Sequence, residues 1–397
     1  MKDKAKYIVI YLLFFPIVFS AYSTSPLLSM ASYTNPSIAS PIFGVSNFEI
    51  TQNVTYQVEI NFTLTQTIGS GNYYFKFSRI NSSLDFMYTP PYQDSELLYN
   101  NITGYDTILM NVKDKFNNTH DWFNATLGAG ENVSISQKYI VGLNAIKFSG
   151  ISESEIGMYD TADEMFELYC NKSEPYYERN DTSLISLSNS IVNPSDNPIE
   201  KAKKICNWVS DNIEYTGDLP NEMGAFWAYN NSKGDCSEFS SLMITLLRIQ
   251  NIPARKVTGY LVSNNPSLRP KPGDTWSFNA NEIMGHAWME YYVPDIGWIA
   301  CDPLWGYFNR IDYLRFNLNV GANFFFPPSY IISEFDTLFY ATSGFHNYDY
   351  NITITVIESN LAPLDSVPLM FYLFIGIGLA AVLITVLLII RIKRHKG

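Results

Sequence analysis

The 397-residue chain holds only four cysteines and four histidines, and no two cysteines form a C-x-x-C pair. That absence argues against a zinc-stapled fold, which needs such ligand pairs. Positive charge is scarce as well: 26 Lys and Arg stand against 38 Asp and Glu, a net −12. Nucleic-acid binding needs a basic face to neutralise phosphates, so that partner class is excluded. Thiol chemistry, if present, has few possible nucleophiles and few possible bases, and each can be weighed in turn.

Apolar residues are plentiful, at 47%. Sizeable cores are possible, and the length suits about two globular domains. Both ends carry apolar runs. Lys2, Lys4 and Lys6 precede a run from Tyr7 to Phe19, then small residues. This layout predicts a secretory signal peptide over 1–23, with an uncleaved anchor as the alternative. A Ser-, Pro- and Ala-rich lead-in follows over 24–45. Val367 to Ile390 is uncharged and apolar, and Arg391, Lys393, Arg394 and Lys396 follow at once. A transmembrane helix is expected over 367–390, with a basic cytoplasmic tail over 391–397. The intervening chain is then extracellular at a cell membrane. N-x-[ST] sequons, most of them before residue 181, agree with that placement.

Between these ends the hydrophobic period changes. Over 46–150 it is two: Val54, Tyr56, Val58, Ile60, Phe62 and Leu64 share one strand face. A β-sandwich-like domain is expected there, with the role of a spacer or adhesive module. After Ser152 the period becomes helical. "SESEIGMYDTADEMFELYC" and "DTSLISLSNSIV" read as helices, and "NPIEKAKKICNWVSDNIEY" is amphipathic with Cys206 on its buried stripe. Cys206 is expected in the core, or bridged to Cys170. The second domain is placed at 151–306. Residues 307–366 form a β-rich extension that either completes its sheet or stands apart.

The segment "SKGDCSEFSSLMITLLRIQNIPARKVTGYL" carries the chemistry. Asp235 is a candidate N-cap, an apolar helical face runs from Phe239 to Leu247, and Asn251 with Pro253 ends the helix. Cys236 therefore falls at the helix start, where free N–H groups and the dipole lower a thiol's pKa. Of the histidines, His395 is in the tail, His120 is in the β-domain, and His346 has no acidic motif nearby. His286 opens "HAWMEYYVPDIGWIACDP", which reads as a hairpin ending at Asp302. Both side chains face one way only in a particular register, expected to need a bulge at Gly297. Cys301 then points to the opposite face, which argues against a Cys236, His286, Cys301, Asp302 zinc site.

"GDCSEFSSLMITLLRIQNIPARKVTGY" and "GHAWMEYYVPDIGWIACDP" resemble the transglutaminase-like superfamily of papain-like cysteine enzymes, over roughly residues 183–306. The resemblance implies an α+β fold, with the cysteine helix packed on an antiparallel sheet. It implies Cys236 as nucleophile, His286 as general base and Asp302 as orienting acid, with no metal and no cofactor. The substrate would be a protein or peptide, attacked at a peptide or glutamine carboxamide bond. The enzyme would be a protease, a deamidase or a transglutaminase. Asn251 departs from the family, standing where a glycine is usual before Ile-Pro-Ala-Arg. The auxiliary oxyanion donor would be Trp208, Tyr215 or Trp227. The long loop before His286 carries Arg269, Lys271 and Trp276 as candidate substrate contacts. The rival is a cell-surface adhesion or scaffold protein that keeps the fold without turnover.

Overall fold

In a computed structural model, the described residues are 47–321, 330–333, 337–341 and 344–361. The expected signal peptide, lead-in, transmembrane helix and tail lie outside them. Among the described residues no helix is long and apolar enough to cross a membrane.

The chain opens with strands β1 (Phe48–Gln66), β2 (Ser70–Ser78), β3 (Gln93–Thr103), β4 (Thr107–Lys113), β5 (Thr119–Gly128) and β6 (Asn132–Phe148). Helices α1 (Glu164–Tyr169), α2 (Thr182–Ile191) and α3 (Pro198–Asn212) follow, then β7 (Glu214–Tyr215), α4 (Ala225–Asn231), β8 (Lys233–Gly234) and α5 (Cys236–Ile249). Next come β9 (Ala254–Leu261), β10 (Thr275–Asn279), β11 (Gly285–Val293), β12 (Gly297–Cys301), β13 (Arg310–Ile311) and β14 (Arg315–Gly321). The last described strands are β15 (Tyr330–Ser333), β16 (Thr337–Ala341) and β17 (His346–Asn360). The fold is a sheet-rich α+β arrangement.

The period-two run of β1 buries its expected face: Val54, Tyr56, Val58, Ile60, Phe62 and Leu64 are all at most 2% exposed. They meet the inner face of a second sheet, where Phe62 lies edge-on to Phe75 at 5.9 Å and Phe75 stacks on Phe123 at 4.6 Å. The first sheet has the order β10-β17-β1-β6-β13, with β3 also on β6. The second has the order β15-β16-β2-β5-β4. These sheets are not built from residues 46–150 alone. β17 returns to pair along β1, and β10 pairs with β17. The expected C-terminal extension is therefore divided. Its β14 joins the sheet of the helical part, and its β17 completes the first sheet.

That third sheet, in the order β12-β11-β9-β14, carries α5 across β9 and β11. Leu242, Met243, Leu246 and Leu247 of α5 pack with Val257, Met289 and Ile299 in one buried cluster. The helix begins on a capping box: Asp235 accepts the Ser237 N–H at 2.8 Å, and Glu238 accepts the Asp235 N–H at 3.1 Å. It ends at Asn251, which takes a left-handed φ of 57°, and the Ile252 N–H closes onto the Leu247 carbonyl at 3.0 Å.

One expectation changes, and one pair of alternatives resolves to a core position for Cys206. The stretch from Ser152 to Cys170 is helical only at Glu153–Glu155 and in α1. Gly157 interrupts it by packing against the Pro294–Asp295 turn, where an added Cβ would lie 2.2 Å from Asp295. Cys170 and Cys206 are free thiols: the Cys170 sulfur lies 3.8 Å from the Arg248 carbonyl, and Cys206 sits in the α3 core stripe.

Gly259 lets β9 and β14 approach. An added Cβ there would sit 1.6 Å from the Phe316 carbonyl oxygen, which is backbone and cannot move aside. Gly259→Ala is expected to cost about 1–3 kcal/mol by overpacking, seen as a lowered thermal midpoint in calorimetry. An unchanged midpoint would show that these strands separate freely.

Candidate active site

His286 is the second residue of β11 and faces Gly259 of β9 across the ladder. In the hairpin, Met289 pairs with Cys301 and Val293 with Gly297, without interruption. Extended by one residue, this register sets Asp302 opposite Trp288. Trp288 shares a face with His286, so the acid and the imidazole meet diagonally. The expected bulge at Gly297 is not needed. Cys301 points the other way, with its sulfur accepting the Asn309 N–H at 3.5 Å.

His286 Nε2 lies 2.7 Å from Asp302 Oδ2, and both residues are buried. A carboxylate only accepts, so Nε2 carries the proton and Nδ1 is left open to a thiol. Oδ2 also accepts Arg315 Nη2 at 2.8 Å, and Oδ1 accepts the Trp305 N–H at 3.2 Å. Arg315 further donates to Asp312, and its guanidinium lies 4.5 Å from the Trp305 ring centre and 5.0 Å from that of Tyr307. Its Nε is buried without a partner. Burial alone would raise the Asp302 pKa, but His286 and Arg315 outweigh it and hold the carboxyl at about 2. Arg315 was not anticipated. In the alternating strand "LRFNLNVG" it shares a face with Asn317 and Asn319, a parity that reads as solvent, so its burial was not signalled.

Cys236 takes the first position of α5 and is half-buried. Its helix rests on the strand of His286, with Ser240 Oγ donating to the Ala287 carbonyl at 3.3 Å, and the Ala287 N–H acts on the Cys236 thiol. The expected lowering of its pKa does not hold. Burial pushes the thiol up, the neighbouring Asp235 carboxylate adds to this, and the Ala287 N–H and Lys256 only partly oppose them. The helix start is thus countered by the acid that caps it.

The segment before the cysteine is pinned to α5. Asp235 Oδ2 accepts the Leu219 N–H at 3.0 Å, and Glu238 Oε1 accepts the Met223 N–H at 2.8 Å. Glu222 Oε1 accepts Ser241 Oγ at 3.0 Å and buried Lys256 Nζ at 2.5 Å. Burial, then Asp235, pushes Glu238 up to about 7. Of the three aromatic candidates, Tyr215 lies on β7, which pairs with β8 at Gly234, two residues before Cys236. Trp208 packs 6.4 Å from Tyr229, and Lys233 lies 6.0 Å over Trp227. The loop before His286 contains β10, so Trp276 packs with the first sheet, away from the cysteine. The Lys271 N–H is turned back onto Asp274 at 2.9 Å.

This assembly matches known proteins over its central part. Residues 185–303 fit the model of the transglutaminase-like superfamily. Uncharacterized protein YebA of Bacillus subtilis (strain 168) is 28% identical over 136 residues, which is 32% of this chain and 18% of that protein. A protein-glutamine gamma-glutamyltransferase of Pseudomonas aeruginosa (strain PAO1) is 32% identical over 75 residues, 19% of this chain and 10% of that protein. The chain thus spans less than a fifth of either relative. A crystal structure of a candidate cysteine protease from Cytophaga hutchinsonii has a TM-score of 0.50 at 16% identity, over 80% of this chain and 95% of that one. That likeness is one of fold.

Proposed function

Starting from a transglutaminase-like core at residues 185–303, we propose that this chain is a cysteine acyl-transfer enzyme acting on peptide or glutamine carboxamide bonds. Cys236, His286 and Asp302 are its reacting set. The observation that carries the reading is the buried 2.7 Å His286–Asp302 pair, with the helix that begins at Cys236 bonded to the strand of that histidine through Ser240 and Ala287.

The resting thiol is disfavoured as a lone thiolate, so its proton moves to His286 Nδ1 as attack begins. The sulfur bonds to the carbonyl carbon, and the carbonyl electrons move onto oxygen. The Cys236 backbone N–H at the helix start would help bind that oxyanion, with Trp208, Tyr215 or Trp227 as the candidate second donor. His286 returns the proton to the leaving nitrogen as the C–N bond breaks. Asp302 fixes the imidazole tautomer and stabilises the imidazolium. Water or an amine then takes the acyl group from sulfur. The two facing sheets, read as a β-sandwich, would carry this core outside the cell. A helix over 367–390 would hold it in the membrane.

Incubating the protein with a glutamine peptide, with and without a primary amine, tests the reading by mass spectrometry. Cleavage, deamidation and amine adducts differ in mass. Finding none of the three under any condition would favour the scaffold role. The electrostatics give a separate prediction. Asp235→Asn keeps a capping acceptor but removes the charge that pushes the thiol up. Iodoacetamide labelling of Cys236 at neutral pH is then expected to speed up about threefold to tenfold. An unchanged rate would remove Asp235 from the account.

A further inference from the structure

The chain carries a net charge of −12, yet one cavity of about 300 Å³ is lined by two arginines, Arg269 and Arg310. Tyr307, Asp312 and Tyr313 also line it. Asp312, its acidic residue, is already engaged: one carboxylate oxygen accepts from Arg315 and the other from the Leu314 N–H at 2.9 Å. Arg310 is exposed, lies 4.3 Å from the Tyr307 ring centre, and has no ion pair among the described residues. Arg269 sits beside the Tyr313 phenol. That phenol ties the loop in place by donating to the Leu268 carbonyl at 2.9 Å. The walls are thus fixed, and the local field favours an anion against the background of an acidic protein.

The cavity adjoins the candidate active site. Tyr307 exchanges two 2.8 Å main-chain hydrogen bonds with Asp302, and its ring meets Trp305 at 5.9 Å. Trp305 in turn lies 6.0 Å from the His286 ring. The cavity is thus joined to the His286–Asp302 pair through Tyr307 and Trp305.

We propose that this cavity is a substrate subsite for a carboxylate, held by Arg310 and Arg269. The subsite rests on the acyl-transfer reading for its purpose, but binding can be read without turnover. The carboxylate is either an acidic side chain flanking the reactive residue or the peptide's own C-terminus, and the two sources are separable.

Three glutamine peptides are titrated into the full-length Cys236→Ala protein by calorimetry: one with a flanking Glu and an amidated end, one neutral and amidated, and one neutral with a free C-terminus. A charge-assisted contact predicts that one anionic peptide binds about tenfold tighter than the neutral one. The Glu peptide winning identifies a side-chain site, and the free-ended peptide winning identifies a C-terminal site. Arg310→Gln is expected to bring the preference within about twofold, and added salt to weaken it. Equal binding of all three peptides overturns the subsite. So does a preference that survives in the Arg269→Gln, Arg310→Gln double variant. Acidic preference with no product from the wild-type protein would leave the subsite standing and sink the acyl-transfer reading instead.

Discussion

The Cys236→Ala protein is expected to fold normally and to lose product formation by about 10⁴- to 10⁶-fold. The side chain is half-buried at the first position of α5, so truncation opens no core cavity. The capping box of Asp235 and Glu238 stays intact. The loss falls on chemistry because no other described cysteine can replace it: Cys170, Cys206 and Cys301 are buried and closed to a substrate, whereas Cys236 is partly exposed. His286→Ala is expected to cost nearly as much. The double variant should be little worse than either single one, because groups that act as a unit are not additive. Product formation by mass spectrometry and folding by circular dichroism check both points. Retention of more than about a hundredth of the activity, against the loss that such units show, would remove Cys236 from the nucleophile's role.

Asp302 has the second largest expected effect, and it acts on stability as well as rate. Asp302→Ala strips Arg315 Nη2 and His286 Nε2 of their shared acceptor in a buried place. Breaking one side of a buried ion pair costs about 3–5 kcal/mol, readable as a lower urea midpoint. Asp302→Asn keeps the size and an acceptor oxygen, so it should recover much of that stability. Activity should remain about 10²- to 10⁴-fold down, because the amide does not stabilise the imidazolium. A purely structural role for Asp302 would instead return activity together with stability. The wild-type carboxyl sits at about 2 in the folded protein against an ordinary 3.8. Its depressed pKa contributes stability on the order of 2 kcal/mol, fully present above the ordinary carboxylate range. That contribution is lost as pH falls through about 4 toward about 2. Asp302→Asn should not lose stability from this group over that window.

Local chemistry made much of the core readable in advance. The capping box, the apolar stripe from Phe239 to Leu247 and the left-handed Asn251 all act within a few residues, so α5 and its ends follow from the sequence. The strand face from Val54 to Leu64 follows from alternation in the same way, and so does the hairpin of His286 and Asp302, though its register runs without the bulge expected at Gly297. Glycine set a trap at 157, where close approach to a distant turn overrode the helical pattern of its neighbours.

The sequence by itself determined the local elements, the helix start that carries Cys236 and the hairpin that carries His286 toward Asp302, because capping and periodicity are short-range. Tertiary structure alone decided that β17 returns to β1, which Asn61↔Asn351 joins across nearly the whole described chain. It alone brought Arg315 to Asp302 and Lys256 to Glu222. It also reversed the sign at Cys236: the pKa of a thiol depends on how far water is excluded and which charges end up beside it. Folding sets both quantities from parts of the chain that no local pattern connects.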